Sequence, residues 1–287
     1  MYYDRRNWAG DQVRRDWIRR QQGSDTKPPA KLDEHRVLIV NDDGIEAHGI
    51  KLLEEIAREF TDDVWVVAPD EEKSGFSHSI SMTIPIRVRK VDERHFAVKG
   101  TPTDCALLAI YEFIGGRPPT VLLSGINRGA NLAEDITYSG TAAAAMEGAL
   151  LGIRSIALSQ VFEVGGQVHW STARRFAPPI LERLLVCDWE PGSFVNVNFP
   201  DAPPEQVGRT RVTTQGRRLP GSFRPVRRVD ERDFPYYWIK LTYKTGELED
   251  GTDLRAIGEN EVSVTPMHLD FTSNPFRHAL ESALIGI

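Results

Sequence analysis

The feature that most constrains this chain is the apolar, β-branched run Arg36-Val37-Leu38-Ile39-Val40, followed at once by Asn41-Asp42-Asp43-Gly44 and then by a segment of helical spacing. A run with no polar alternation is the pattern of a strand buried on both faces. From about Ala47 to Phe60 the apolar positions Ile50, Leu53, Ile56, Ala57 and Phe60 lie on one helical face, and Val64-Trp65-Val66-Val67-Ala68-Pro69 is a second buried run. Strand, helix and strand in this order predict a right-handed βαβ unit and hence a parallel sheet.

The alternation persists. A helix is expected over Thr103 to Phe113, a strand at Thr120 to Ser124 and an Ala-rich helix from about Thr141 to Leu151. Further strands are expected at Ser155 to Leu158 and Phe194 to Val197, with a helix around Ala173 to Leu185 between them. This length of alternation predicts an α/β fold with a doubly wound, mainly parallel, Rossmann-like sheet, here over residues 36–210. From about Arg211 the texture changes: Val226-Arg227-Arg228 and Tyr236 to Tyr243 flank the polar link Asp230-Glu231-Arg232-Asp233, which reads as a long hairpin arm over 211–245. Residues 246–287 are expected to form a C-terminal segment with a helix that either returns to the core or is swapped between subunits.

The first 35 residues are polar, rich in arginine and closed by a Pro-containing stretch. They read as a poorly ordered extension, dispensable for turnover. Asp4, Asp11 and Asp16 interrupt the basic pattern of a transit peptide, and no apolar secretory core follows. Cys105 and Cys187 lie far apart without CxxC spacing, a pattern suited to a reducing cytoplasm. With 40% hydrophobic residues and no apolar run near the roughly eighteen that a membrane span needs, no membrane association is expected. A formal net charge of −6 disfavours a nucleic-acid polymer as partner, so an anionic substrate has to be held by local groups.

In an open parallel sheet, ligands bind beyond the carboxyl ends of the strands. Three polar clusters stand at such ends: Asn41 to Gly44, Asp70 to Ser79, and Ser124-Gly125-Ile126-Asn127-Arg128-Gly129. Adjacent carboxylates at Asp42 and Asp43 suit a hard cation such as Mg²⁺ or Mn²⁺, although an Asp-Asp-Gly turn also caps helices. The absence of His and Cys from that turn disfavours zinc. Ser74 to Ser79 offers hydroxyls to a metal or a phosphate, or is plain turn chemistry. Asn127 and Arg128 stand between glycines, where backbone amides can approach an anion and arginine can pair with phosphate. Ser139-Gly140-Thr141 opens the Ala-rich helix, which makes it an anion site or an ordinary N-cap. Gly100-Thr101-Pro102-Thr103-Asp104 either shapes the pocket or caps its own helix. There is no Gly-x-x-x-x-Gly-Lys-[Ser/Thr] loop, no Gly-x-Gly-x-x-Gly after the first strand and no Gly-x-Ser-x-Gly elbow, which argues against a nucleoside-triphosphate motor or kinase, a dinucleotide dehydrogenase and a serine hydrolase.

Taken together these blocks resemble the SurE (survival protein E) family of nucleotidases. The resemblance is carried by Val-Asn-Asp-Asp-Gly-Ile-Glu-Ala at 40–47, Ala-Pro-Asp at 68–70, Lys-Ser-Gly-Phe-Ser-His-Ser at 73–79 and Gly-Thr-Pro-Thr-Asp-Cys at 100–105. It continues through Ser-Gly-Ile-Asn-Arg-Gly-Ala-Asn at 124–131, Tyr-Ser-Gly-Thr at 138–141, Glu-Gly-Ala-Leu at 147–150, Pro-Tyr-Tyr-Trp-Ile at 235–239 and Val-Ser-Val-Thr-Pro at 262–266. It implies a metal-dependent phosphatase of 5′- and 3′-nucleoside monophosphates, with one divalent ion per subunit held by Asp42, Asp43, Ser74 and Asn127. It implies substrate or phosphate contacts near Asn41, Gly44, Ser79 and Ser139-Gly140-Thr141, beside the Arg128 contact read from spacing. It also implies a homodimer or homotetramer, with an oligomerisation hairpin at the arm and C-terminal exchange between subunits. Phe76 and Ser77 depart from the small residues that many relatives carry there, and the N-terminal extension is unlike the family.

The expected chemistry is hydrolysis with Asp42 and Asp43 as the catalytic pair. Since both carboxylates are needed as ligands, an activated water is favoured over either aspartate as nucleophile. Amides of the Gly125 to Gly129 stretch and of the Ser139 helix start are expected to hold the phosphoryl oxygens. The rival readings are an exopolyphosphatase using the same site and a non-catalytic nucleotide sensor; rates on polyphosphate and tight binding without turnover separate them.

Overall fold

Val37–Val40 (β1) is central in its sheet, with a parallel strand on each side, and it is buried along its whole length because helices cover both faces. The computed structural model describes residues 31–163, 165–219, 223–241 and 248–285. The helix His48–Ala57 (α1) follows β1 and leads into Val64–Pro69 (β2). Two short strands, Val88–Lys90 (β3) and His95–Val98 (β4), precede the helix Pro102–Leu108 (α2). Then come Val121–Arg128 (β5), Gly140–Leu150 (α3), Arg154–Gln160 (β6), Trp170–Val186 (α4) and Ser193–Phe199 (β7). Thr210–Val212 (β8), the pair Phe223–Val229 (β9) and Pro235–Leu241 (β10), Asp253–Gly258 (α5), Val262–His268 (β11) and Asn274–Ala283 (α6) complete the order.

Among the described residues, the main sheet runs β3-β4-β2-β1-β5-β6-β7-β11-β8. Its six consecutive parallel strands, β4-β2-β1-β5-β6-β7, lie in the doubly wound order 3-2-1-4-5-6 when counted along the chain. The winding direction therefore reverses between β1 and β5. Alternation within β1 explains the two layers: Val37 and Ile39 pack with α1 and α4 on one face, whereas Leu38 and Val40 pack with α2 and α3 on the other. The Ala-rich α3 is buried almost all round, since its small side chains let it lie close on β5, β6 and β7.

Several boundaries differ from expectation. The stretch Gly125 to Arg128, expected as a loop after the strand, continues as strand across an irregularity in register between Ser124 and Asn127, with Asn127 opposite Ser159. The strands β3 and β4 are too short to stand out by periodicity. Residues 211 and 212, expected in the arm, belong to β8, which pairs in parallel with β11. The arm itself is a separate antiparallel pair, β9 and β10, closed by Asp230, whose Oδ1 accepts from the amides of Arg232 (2.8 Å) and Phe234 (3.0 Å). Residues 1–30 of the expected extension lie outside the described residues. At its end, Leu32–Glu34 forms a 3-10 turn and His35 is buried, with Nδ1 3.0 Å from Thr120 Oγ1. Beyond β11, α6 buries none of its side chains.

Candidate active site

The switch between β1 and β5 is where the two strand ends splay, and the Asn41 to Gly44 turn sits there. Asn41 is fully buried and clamps the turn: its Nδ2 donates to Gly44 O (2.8 Å) while its Oδ1 accepts from Gly44 N (3.2 Å). Each end of its amide thus has a partner within the turn, which fixes the orientation of the side chain. Gly44 takes φ +99°, a conformation an L side chain rarely adopts, and the following amide, Ile45 N–H, returns to Pro69 O (2.9 Å) at the end of β2.

This clamp leaves Asp42 facing the start of α3. Thr141 Oγ1 donates to Asp42 Oδ1 at 2.5 Å, and the Gly140 backbone lies so close that a Cβ there would stand 2.8 Å from Asp42 Cβ. Ser139 caps the helix by accepting from Ala142 N–H (2.9 Å), whereas the amides of Gly140 and Thr141 have no acceptor among the described residues. The helix start is therefore both an N-cap and a pair of open amides at the positive end of a buried helix.

Asp43 faces β5 instead, its Oδ2 accepting from the Arg128 amide (2.9 Å). The Gly129 amide is taken by Gln160 O (3.0 Å). The amides at 128 and 129 are therefore already bonded within the protein, and the phosphate-binding role expected for this stretch loses those donors. The Arg128 guanidinium lies over the Phe162 ring, 4.8 Å from its centroid. Asn127 donates its Nδ2 to Gly129 O (3.1 Å), which orients the side chain and keeps Oδ1 as an oxygen donor.

The third strand end is tied to the first by backbone, through Lys73 N–H to Asp42 O at 2.7 Å. The Ser74 hydroxyl, expected to meet the aspartates, donates to Glu72 Oε1 (2.9 Å). Glu72 itself escaped the sequence reading. Its charge raises the pKa of both Asp42 and Asp43, and the only signal for it was its place in the acidic run after Pro69. Ser79 Oγ is buried and has no partner among the described residues, while Ser79 O accepts from Thr101 Oγ1 (2.7 Å). Thr101 and Asp104 form a capping box on α2, and Asp104 Oδ1 also accepts from Ser81 N–H (2.9 Å). The Gly-Thr-Pro-Thr-Asp block thus caps its own helix and grips the Ser74 to Ser81 loop. His78 Nε2 is 3.0 Å from Glu147 Oε2 on α3, a further hold on that loop.

Burial dominates the electrostatics. It pushes Asp42 up to about 7, against the Thr141 hydrogen bond, and the neighbouring Asp43 charge adds to the rise. Asp43 is raised as well, again chiefly by burial. Among the described residues neither carboxylate forms an ion pair with a side chain, and the Arg128 charge only partly offsets the rise at Asp43.

Comparison with known proteins finds relatives over most of the chain. A family model described as Survival protein SurE matches residues 37–221. A protein of Parvibaculum lavamentivorans named 5′-nucleotidase SurE is 49% identical over 251 residues, covering 87% of this chain and 91% of that protein. One of the same name from Methylobacterium sp. is 51% identical over 242 residues, covering 84% and 96% of the two chains. The crystal structure of the SurE protein from Aquifex aeolicus superposes with a TM-score of 0.76 at 37% identity, covering 86% of this chain and 98% of that one. With a 3-2-1-4-5-6 sheet, paired aspartates at its switch point and these relatives over most of its length, the chain belongs to the SurE family.

Proposed function

We propose that this protein is a divalent-metal-dependent 5′-nucleotidase that hydrolyses nucleoside 5′-, and also 3′-, monophosphates to nucleoside and phosphate. The observation that carries the reading is the crowded Asp42–Asp43 pair, Asp42 buried and Asp43 half-buried, both with raised pKa, set against the open amides of Gly140 and Thr141. The donor set fits a hard cation: Asp42, Asp43 and Asn127 present oxygen atoms, and the raised carboxylate pKa values express the charge that such an ion relieves. Ser74 joins them by turning its hydroxyl from Glu72. When bound, Mg²⁺ or Mn²⁺, one per subunit, supplies neutralisation of phosphoryl charge and acidifies water.

The chain's own groups do the rest. Thr141 Oγ1 and the Arg128 amide each hold one oxygen of Asp42 and Asp43, which fixes both carboxylates as ligands and favours water as the nucleophile. The Gly140 and Thr141 amides and the positive end of α3 bind phosphoryl oxygens as their charge redistributes. Ser79 Oγ adds a hydroxyl at the loop that Thr101 and Asp104 grip. Subunit assembly lies elsewhere. Phe234, Tyr236, Tyr237, Trp238 and Ile239 on the arm are all exposed, Trp238 by 65%. A lone two-stranded hairpin is marginal in water, and an apolar patch of this kind marks a contact surface, which supports a homodimer or homotetramer through the arm and α6. No helix among the described residues is long and apolar enough to cross a membrane.

The test is phosphate release from AMP, GMP and their 3′-isomers with Mg²⁺, Mn²⁺ or chelator. Metal-stimulated release that is lost in folded Asp42→Ala and Asp43→Ala is expected. Undiminished turnover in chelator, or in the Asp43 variant, refutes the reading.

A further inference from the structure

The loop that delivers Ser139 to the head of α3 is held from a distant part of the chain. Between Gly129 and Ser139 the chain passes through a short 3-10 turn, Ala133–Thr137, and its first three residues are gripped by the segment that leads into the arm and by the start of α5. Ala133 N–H donates to Asp253 Oδ2 (2.8 Å), and Gln215 Nε2 donates to Ala133 O (3.0 Å). Asp253 Oδ1 accepts from Gly216 N–H (2.8 Å), so one carboxylate joins the two segments. The Glu134 carboxylate accepts from Arg218 N–H at 3.0 Å, and Arg218 Nη2 meets Asp135 Oδ2 at 2.6 Å. Asp253 is 1% exposed, and the Arg218 and Asp135 side chains are 11% and 12% exposed, which shields these contacts from solvent and salt.

The far end of the same turn borders the site. Tyr138 N–H returns to Asp135 O (2.9 Å) and Ser139 follows directly, while Thr137 O accepts from Ser77 Oγ (2.7 Å) of the loop that carries Ser74. A shift at Ala133 to Asp135 therefore moves both the helix start and that loop. The Asp253 carboxylate is buried on three backbone amides, those of Ala133, Gly216 and Leu254, which is more than α5 needs for its own cap, since Thr252 provides that.

We propose that Asp253 and Arg218 are positioning residues for phosphate binding: by holding Ala133 to Asp135 they fix where Ser139, Gly140 and Thr141 present their donors. The inference rests on the reading above that the head of α3 binds phosphate. Displacing such a cradle by a fraction of an ångström weakens phosphate binding on the order of tenfold.

The experiment compares Arg218→Ala, Arg218→Lys and Asp253→Asn with the parent in the full chain, below the melting temperature of each. Arg36→Ala, which breaks the 2.7 Å pair with Asp63 at the opposite end of β1, is the control for general destabilisation. The expected result is a roughly tenfold rise in KM for AMP and in the inhibition constant of inorganic phosphate, with kcat less affected. Arg218→Lys recovers part of the loss and Arg36→Ala loses only thermal stability. Hydrogen exchange of the 139–143 amides, where Ala142 and Ala143 N–H bond to Ser139, rises in Arg218→Ala and not in the control. Folded Arg218→Ala with parental KM, phosphate inhibition and exchange overturns the proposal, and it decides the matter alone where Asp253→Asn fails to fold. A parent that hydrolyses no nucleotide refutes the assigned function instead, while the exchange at 139–143 still tests the positioning.

Discussion

Replacing Asp42 by Asn should stabilise the metal-free protein while abolishing its activity. Asp42 is 4% exposed, and its pKa rises from 3.8 to about 7, chiefly through burial. Between those two pH values the folded state retains a proton that the unfolded chain has released, so stability falls as pH rises, and above about 7 the whole cost is present. At 1.36 kcal/mol per unit, a rise of about three units amounts to about 4 kcal/mol, a ceiling for one site. Asn keeps the shape and an oxygen to accept from Thr141 but carries no charge. In chelator at pH 8 the variant should therefore melt on the order of 10 °C above the parent, given about 2–4 °C per kcal/mol for chains near this size. Near pH 4.5 the difference should shrink to about 1 kcal/mol. Saturating Mn²⁺ should raise the parent by about 2.7 kcal/mol at a hundred times its Kd and leave the variant unmoved. The assay is a thermal melt across pH at fixed protein concentration, with and without metal. A variant no more stable than the parent at pH 8 in chelator, or a gain that does not change with pH, refutes the reasoning.

Other outcomes follow from the same contacts. Gly140→Ala places a Cβ 2.8 Å from Asp42 Cβ and 3.0 Å from Oδ2, so turnover should fall on the order of a hundredfold at a stability cost of about 1–3 kcal/mol; steady-state rates near the parent's would contradict it. Thr141→Val removes the hydrogen bond that holds the Asp42 pKa down, so the pH at which Mn²⁺ begins to raise the melting temperature should move upward, and an unchanged midpoint would show that the bond is idle. Substituting Tyr237 and Trp238 together by Ser should lower the solution mass measured by light scattering while the far-ultraviolet spectrum stays native, because both side chains are exposed within the subunit. An unchanged mass would place the subunit contact elsewhere.

The sequence by itself determined the fold class, because a parallel sheet buried on both faces needs continuous β-branched runs, and β1 and β2 carry them without polar interruption. It also located the acidic turn and the Ser-Gly-Thr helix start, since both stand directly after or before strongly patterned elements. Local pattern says nothing of which strand ends meet, and there the tertiary structure decided. Pairing of β1 with β5 brings Asp43 to Arg128, and the seating of α3 brings Thr141 to Asp42 across 99 residues of sequence. It also turned Asn41 inward to its own turn, committed the amides at 128 and 129, drew Glu72 toward the aspartates and extended β5 through a stretch that reads as loop. The physical reason is one of range: propensity and periodicity act over a few neighbours, whereas the charge cost at Asp42 and the partners of each buried polar atom are fixed only when distant segments exclude water together.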